Sequence, residues 1–155
     1  MIKIIDSRID ASIVEKVNEY LNPQTHRIVI NSSGGDLYYA MLLCIAVKAY
    51  NDEVDSDSPE LGIFPVPRIT LESGAFCGSA AAMIFVYAKI MGVPTKLNDN
   101  TVFIAHSLED RDYNNSYTAT TCREFWRVVS SGYTNSNGEV VMNKSRFAEI
   151  LSEHF

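Results

Sequence analysis

The sequence has few of the residues that build disulfide frameworks or zinc sites. Its 155 residues include only three cysteines, with no Cys-x-x-Cys pair, and three widely spaced histidines: Cys44, Cys77, Cys122, His26, His106 and His154. These spacings predict neither paired disulfides nor a tetrahedral zinc site. No basic segment followed by an apolar stretch opens the sequence, so no secretory signal is predicted. We therefore expect reduced thiols, a cytoplasmic location and no metal or cofactor.

Positive charge is also scarce. Lys and Arg number 13 against 19 Asp and Glu, which gives a formal net charge of −6 at pH 7. Because proteins that bind nucleic-acid phosphates need a basic face, we expect no nucleic-acid partner. The longest nearly uncharged stretch, 69–88, is interrupted by Glu72 and by small polar residues. It predicts a core strand followed by a helix, and no membrane span.

Most of the excess negative charge lies in one segment. Residues 51–60 hold five acidic side chains and no Lys or Arg, and two prolines follow at 65 and 67. We interpret 51–66 as an inserted, solvated acidic loop, because the carboxylates of 51–60 lack the glycine and the ligand spacing of a calcium-binding loop. The alternative interpretation is a site for cations or for a basic partner.

Strand-like and helix-like segments alternate along the chain. Short apolar runs at 27–30 and 101–105 predict buried strands, and longer apolar stretches at 37–50 and 78–91 predict helices between them. This order is typical of an α/β fold whose mostly parallel sheet has helices on both faces. The length fits about one domain, which we place at 1–155.

Three segments carry residues suited to chemistry. The first, 28–36, is a strand that ends in Gly34 and Gly35 before a helix, where backbone amides can hold negative charge. The second, 77–83, opens a helix with small side chains that leave space for a substrate. The third, 102–106, is a core strand that ends in His106, a candidate general base. Each segment alone is also compatible with a structural role.

Taken together, the three segments resemble the Clp protease proteolytic subunit (ClpP), a self-compartmentalising serine peptidase of the layered ClpP/crotonase fold. The matching runs are INSSGG at 30–35, GSAAAM at 78–83 and NTVFIAH at 100–106. The family motifs are I-N-S-x-G-G, G-x-A-A-S-M and a strand that ends in His. Three ordered motifs at compatible spacing are more specific than any one of them.

The resemblance implies a role for each matching position. The backbone amides at Gly35 or Gly34 and at Met83 would hold the oxyanion, and His106 would act as the base. The third member of the family's triad is an aspartate, and the corresponding position here is Ser145. Without a carboxylate on its far nitrogen, the imidazole would be poorly fixed.

The nucleophile position departs from the family pattern. It holds Ala82, whose methyl group cannot attack a carbonyl, so the chain as written would form no acyl-enzyme at that position. The interpretation we favour is a ClpP-like serine endopeptidase inactivated by an engineered Ser→Ala replacement. The alternative is a natural pseudoenzyme of the same fold that acts as a binding or assembly subunit.

Other residues leave further alternatives open. Three potential nucleophiles lie near the second segment: Ser73, Cys77 and Ser79. Ser79 is about one helical turn before Ala82, and Ser73 begins a run similar to the S-G-G-Y of signal-peptide-peptidase-type proteases, which use a lysine base. Asp110 and Asp112 follow His106 too closely to be the family's aspartate, although either could orient the ring. A crotonase-type acyl-CoA enzyme would use the same oxyanion chemistry, but no carboxylate pair for proton transfer is evident.

The resemblance also implies partners. Peptide or unfolded-protein substrates and a homo-oligomeric ring follow from the family. Within 117–155 we expect the family's ring-stacking handle to be reduced to the helix 122–129 and its surroundings, and we expect the N-terminal loops that engage an unfoldase to be missing. An ATPase partner is therefore not carried over. A compact form encoded by a phage fits these losses, and it would act in the host cytoplasm.

Overall fold

The computed structural model describes residues 1–56, 66–107 and 116–155. Within these ranges strands and helices alternate along most of the chain. In chain order they are β1 (Ile2–Ile5), α1 (Ile13–Tyr20), β2 (Arg27–Ser32), α2 (Leu37–Ser56), β3 (Thr70–Gly78), α3 (Ala80–Met91), β4 (Thr95–Lys96), β5 (Val102–Ala105), α4 (Ser116–Val129), β6 (Val140–Met142) and α5 (Lys144–His154). None of the helices in these ranges has the length and apolar character to cross a membrane.

The strands form one mixed sheet in the order β1-β2-β3-β5-β6, and β4 pairs with the first part of β3. All pairings are parallel except that of β6, which runs antiparallel to β5. The predicted α/β class with a mostly parallel sheet is therefore confirmed. Because β1, β2, β3 and β5 are parallel, their carboxyl ends lie at the same edge of the sheet.

The helices cover the two faces of the sheet unequally. Along β2, buried residues alternate with half-buried ones, and the side chain of Ile4 on β1 is 52% exposed. On the covered face, the ring of Phe103 on β5 stacks on Phe147 of α5 and meets Phe85 of α3 edge-on. Helices α3 and α5 thus lie against the same face of the sheet near β5.

Helix α2 is longer than its apolar pattern predicts. It continues through residues 51–56, which we expected to begin the acidic loop, whereas 57–65 lie outside the described residues. Asn51 is fully buried, and its carboxamide accepts a hydrogen bond from the Ile69 amide at 2.8 Å and donates one to the Ile69 carbonyl at 3.0 Å. The loop assignment is wrong over 51–56 because this polar residue anchors the helix to the chain that enters β3.

The strand-to-helix junction before α3 also differs from the prediction. Strand β3 runs to Gly78 and the helix begins at Ala80, whereas the sequence pattern placed the start of the helix at Gly78. Between Ile30 and Ser32 the β2–β3 register shifts, since Ile30 pairs with Ser73 and Ser32 with Cys77. Strand β3 therefore contains extra residues relative to β2 at this irregularity, and it ends later in the sequence than a regular pairing would give.

Replacing Asn51 by alanine tests the anchor between α2 and β3. We expect the free energy of unfolding to fall by roughly 2–4 kcal/mol, because the substitution leaves the buried amide and carbonyl of Ile69 without partners. Urea denaturation of Asn51→Ala and of the control Glu53→Ala, at an exposed position of the same helix, measures the difference. Equal stabilities of the two variants would contradict the anchoring role.

Candidate active site

The three segments singled out in the sequence converge at the carboxyl edge of the sheet. Strands β2, β3 and β5 end there, and α2 and α3 begin there. A small pocket at this edge has a volume of about 20 Å³, enough for about one water or one carbonyl group. Its lining residues are Leu37, Ser79, Met83, Ala105, His106, Ser107, Cys122 and Phe125. The lining therefore includes two serines, one cysteine and one histidine among apolar residues.

Ser79 occupies the turn between β3 and α3. Its backbone has φ 54° and ψ −120°, and in the described part of the chain it is the one non-glycine residue with positive φ. Such a conformation costs about 1–3 kcal/mol and persists only where neighbouring structure enforces it. A hydrogen bond from the Ser79 amide to the Ile104 carbonyl, 2.8 Å, fixes the turn against β5. A sharp, strained strand-to-helix turn of this kind presents a serine hydroxyl beyond the end of the sheet.

Gly34 lies directly against this turn. Its φ is +121°, and a Cβ at this position would lie 2.7 Å from the Gly78 carbonyl oxygen and 2.7 Å from the Cβ of Ser79. Only glycine avoids both the steric overlap and the backbone strain. The amide of Gly34 donates to the hydroxyl of Ser32 at 3.1 Å, so this donor already has an acceptor.

The amide of Gly35 is directed differently. Ile9 forms a parallel bridge with Gly35, in which the Ile9 amide donates to the Gly34 carbonyl and the Asp36 amide donates to the Ile9 carbonyl. In such a bridge the central residue's own N–H points away from the partner strand. Of the two glycines predicted to hold an oxyanion, Gly34 has its amide bonded to Ser32 and Gly35 has its amide directed away from Ile9; neither glycine is among the residues that line the pocket.

Ala82 and Met83 are the third and fourth residues of α3 and do not lie in the turn that precedes it. Ala82 is fully buried and does not line the pocket. The side chain of Met83 lines the pocket, but its amide donates to the Ser79 carbonyl at 3.1 Å as a helical hydrogen bond. The oxyanion role predicted for Met83 therefore does not fit. The amide of Ala80, which directly follows Ser79, belongs to the first helical turn, where amides have no acceptor within the helix.

His106 follows β5 and lines the pocket with Ser79. It is half-buried, and its Nδ1 atom lies 2.8 Å from the main-chain carbonyl oxygen of Ser107. The structure does not bring Ser145 to this pocket, because that residue is exposed in the first turn of α5. Asp110 and Asp112 lie outside the described residues.

The two other potential nucleophiles are held in the interior. The hydroxyl of Ser73 is fully buried, lies 2.8 Å from the Thr101 hydroxyl and accepts a hydrogen bond from the Asn98 amide. The thiol of Cys77 lies 3.2 Å from the Ile30 carbonyl, and burial raises its pKa to about 12. Because a thiol acts as a nucleophile only when deprotonated, this environment disfavours Cys77 as the reactive group.

No protein-family model matches the sequence, and no curated protein matches it. Solved structures do match its fold. The ClpP protease catalytic domain from Plasmodium falciparum is 16% identical with a TM-score of 0.58, and the match covers 96% of this chain and 79% of that one. A ClpP1 mutant from Listeria monocytogenes is 14% identical with a TM-score of 0.52, and covers 96% and 85%. The chain thus has a ClpP-like fold, as its motifs indicated.

Adding a methyl group at Gly34 tests the close approach to Ser79. We expect Gly34→Ala to lower the free energy of unfolding by about 3 kcal/mol or more, from backbone strain together with the overlap with the turn. Gly138→Ala is the control: Gly138 also has a positive φ, +74°, but no atom lies within 4 Å of a Cβ there, so only about 1 kcal/mol is expected. Thermal unfolding of both variants gives the two losses of stability. Equal losses would contradict a role for the close contact between Gly34 and the turn at Ser79.

Proposed function

We propose that the protein is a ClpP-like serine endopeptidase whose nucleophile is Ser79 and whose general base is His106. The observation that carries this proposal is their common pocket, in which Ser79 has a strained backbone at a strand-to-helix junction. The fold supports the same reaction class, since both structural matches above are to proteins described as ClpP. Ala82 then needs neither an engineered replacement nor a pseudoenzyme to explain it, because the serine lies three residues earlier.

The proposed reaction follows from these positions. The Ser79 hydroxyl oxygen attacks the carbonyl carbon of a peptide bond while His106 accepts the hydroxyl proton. The negative oxygen of the tetrahedral intermediate is held by the amides of Ala80 and Gly35. The intermediate expels the amine as the C–N bond breaks, and His106 donates its proton to that amine. Water then attacks the serine ester and gives a proton to His106; the bond between the acyl carbon and the Ser79 oxygen breaks, His106 returns the proton to that oxygen, and the acid is released.

Substrate size follows from the dimensions of the pocket. Its volume of about 20 Å³ matches a carbonyl group and is too small for a large side chain. A substrate chain would therefore lie extended across the mouth of the pocket. Unfolded proteins and flexible peptides can adopt such a conformation, whereas a folded protein cannot do so without local unfolding.

The proposal extends to a homo-oligomer. An apolar groove of about 260 Å³ lies between α1 and α2, and exposed apolar side chains lie in or beside it: Val14, Tyr38 and Ile45. Exposed apolar surface of this kind is typical of contacts between proteins. The groove supports assembly of copies of this chain, as in the ring implied by the resemblance. We do not propose an unfoldase partner.

Labelling with a fluorophosphonate probe tests the nucleophile. We expect the unmodified protein to form a covalent adduct and Ser79→Ala to lose it, with peptide turnover falling by up to about 10⁶-fold. Adding Ala82→Ser to the Ser79→Ala variant should restore neither labelling nor cleavage of casein. Ser145→Ala is the control and should label at the unmodified rate.

Two outcomes would overturn the assignment of Ser79. One is mass-spectrometric detection of the phosphonate on another residue, and the other is labelling that survives in Ser79→Ala. A chain that resists labelling and cleaves neither casein nor small peptides would contradict the proposed activity and favour the pseudoenzyme alternative.

A substitution in the groove tests the proposed homo-oligomer. We expect Ile45→Glu to convert the assembly to monomers, because it introduces a charge into the apolar groove. Ile90→Glu is a matched control, since Ile90 on α3 has nearly the same exposed fraction, 42% against 43%, and lies outside the groove. Light scattering coupled to size-exclusion chromatography gives the masses. A monomeric unmodified protein would contradict the assembly without affecting the catalytic proposal.

A further inference from the structure

The hydrogen bond between His106 and Ser107 determines which ring nitrogen carries the proton. The Nδ1 atom lies 2.8 Å from the Ser107 carbonyl oxygen, within the usual range for an N–H···O hydrogen bond. A carbonyl oxygen can only accept, so Nδ1 must be the donor. In the neutral ring the lone pair is then on Nε2, which is the form a general base requires.

From this contact we infer that the main-chain carbonyl of Ser107 is the positioning group for His106 and takes the place of the triad carboxylate. The inference rests on the proposed function, since it specifies how the base of that reaction is oriented. It also agrees with the lining of the pocket, in which none of the described residues has a carboxylate side chain. The position matched to the family's aspartate, Ser145, is exposed on α5 and does not line the pocket.

A carbonyl can perform one of the two functions of a triad aspartate. An aspartate holds the imidazole in the tautomer with Nδ1 protonated, and it stabilises the imidazolium that forms during attack. In serine proteases, loss of that carboxylate lowers turnover by about 10⁴, largely because the ring adopts the wrong tautomer. The Ser107 carbonyl supplies the tautomer and the orientation. Its hydrogen bond to the imidazolium is weaker than that of a carboxylate, because the acceptor has no charge.

The first test reads the tautomer directly. Nitrogen-15 NMR of histidine-labelled protein, at a pH where the rings are neutral, distinguishes a protonated ring nitrogen from an unprotonated one. The three histidine signals are assigned with the His106→Gln variant. We expect His106 to carry its proton on Nδ1. A proton on Nε2 would overturn the inference, whether or not the protein cleaves peptides.

The second test weakens the carbonyl itself. Replacing Leu108 by its α-hydroxy acid turns the Ser107 carbonyl into an ester carbonyl, which is a poorer acceptor. We expect kcat for a fluorogenic peptide to fall by about five- to tenfold, the value of one ordinary hydrogen bond, while KM stays within about twofold. The same exchange at Tyr133, which is 82% exposed, is the control. An unchanged kcat in the Leu108 ester would overturn the inference.

A third experiment tests whether a carboxylate orients His106 in place of the Ser107 carbonyl. Neutral variants replace four candidate residues one at a time: Asp99→Asn, Glu109→Gln, Asp110→Asn and Asp112→Asn. We expect each to keep kcat within about threefold. A loss of about 10³ or more in any one of them would identify a carboxylate as the positioning group and overturn the inference. If the unmodified protein shows no activity, the proposed function fails, and the tautomer measurement still decides the role of Ser107.

Discussion

The close packing of Gly34 on the Gly78–Ser79 link is the contact on which the rest of the site depends. It brings the carboxyl ends of β2 and β3 together so tightly that a single methyl group would overlap the turn. Ser79, on the other side of this contact, has a positive φ that serine otherwise avoids. The Ser79 amide, bonded to the Ile104 carbonyl, adds β5 to the same junction. Three strands are thereby locked where two helices begin.

Much of this arrangement could be predicted from the sequence. The alternation of apolar strands and helices indicated a parallel sheet, and parallel strands bring their carboxyl ends to one edge. The two glycines after β2, the small residues after β3 and the imidazole after β5 had therefore to meet. For His106 the prediction depended only on the end of a short apolar strand, and the structure places its ring in the pocket as that pattern implied.

The register of the second motif could not be predicted in the same way. Along the irregular part of the β2–β3 pair, β2 advances from Ile30 to Ser32 while β3 advances from Ser73 to Cys77. The side chain of Asn31 accepts a hydrogen bond from the Phe76 amide and so stabilises this irregularity. No periodicity in the sequence reveals it. Matching the motif at its methionine places the nucleophile at Ala82, whereas the proposed mechanism places it at Ser79, three residues earlier. The serine directly before three alanines is the sequence signal for that proposal.

On the proposed mechanism, little of the active site consists of side-chain chemistry. Ser79 contributes a hydroxyl and His106 an imidazole, whereas the oxyanion donors and the support of the ring are main-chain groups of Gly35, Ala80 and Ser107. Main-chain groups are retained under most substitutions as long as the backbone path is kept. The sequence is therefore constrained mainly at the glycines that set this path and at two reactive residues. A ClpP-like fold at 14–16% identity is consistent with such a division, because most other positions need only fill the core.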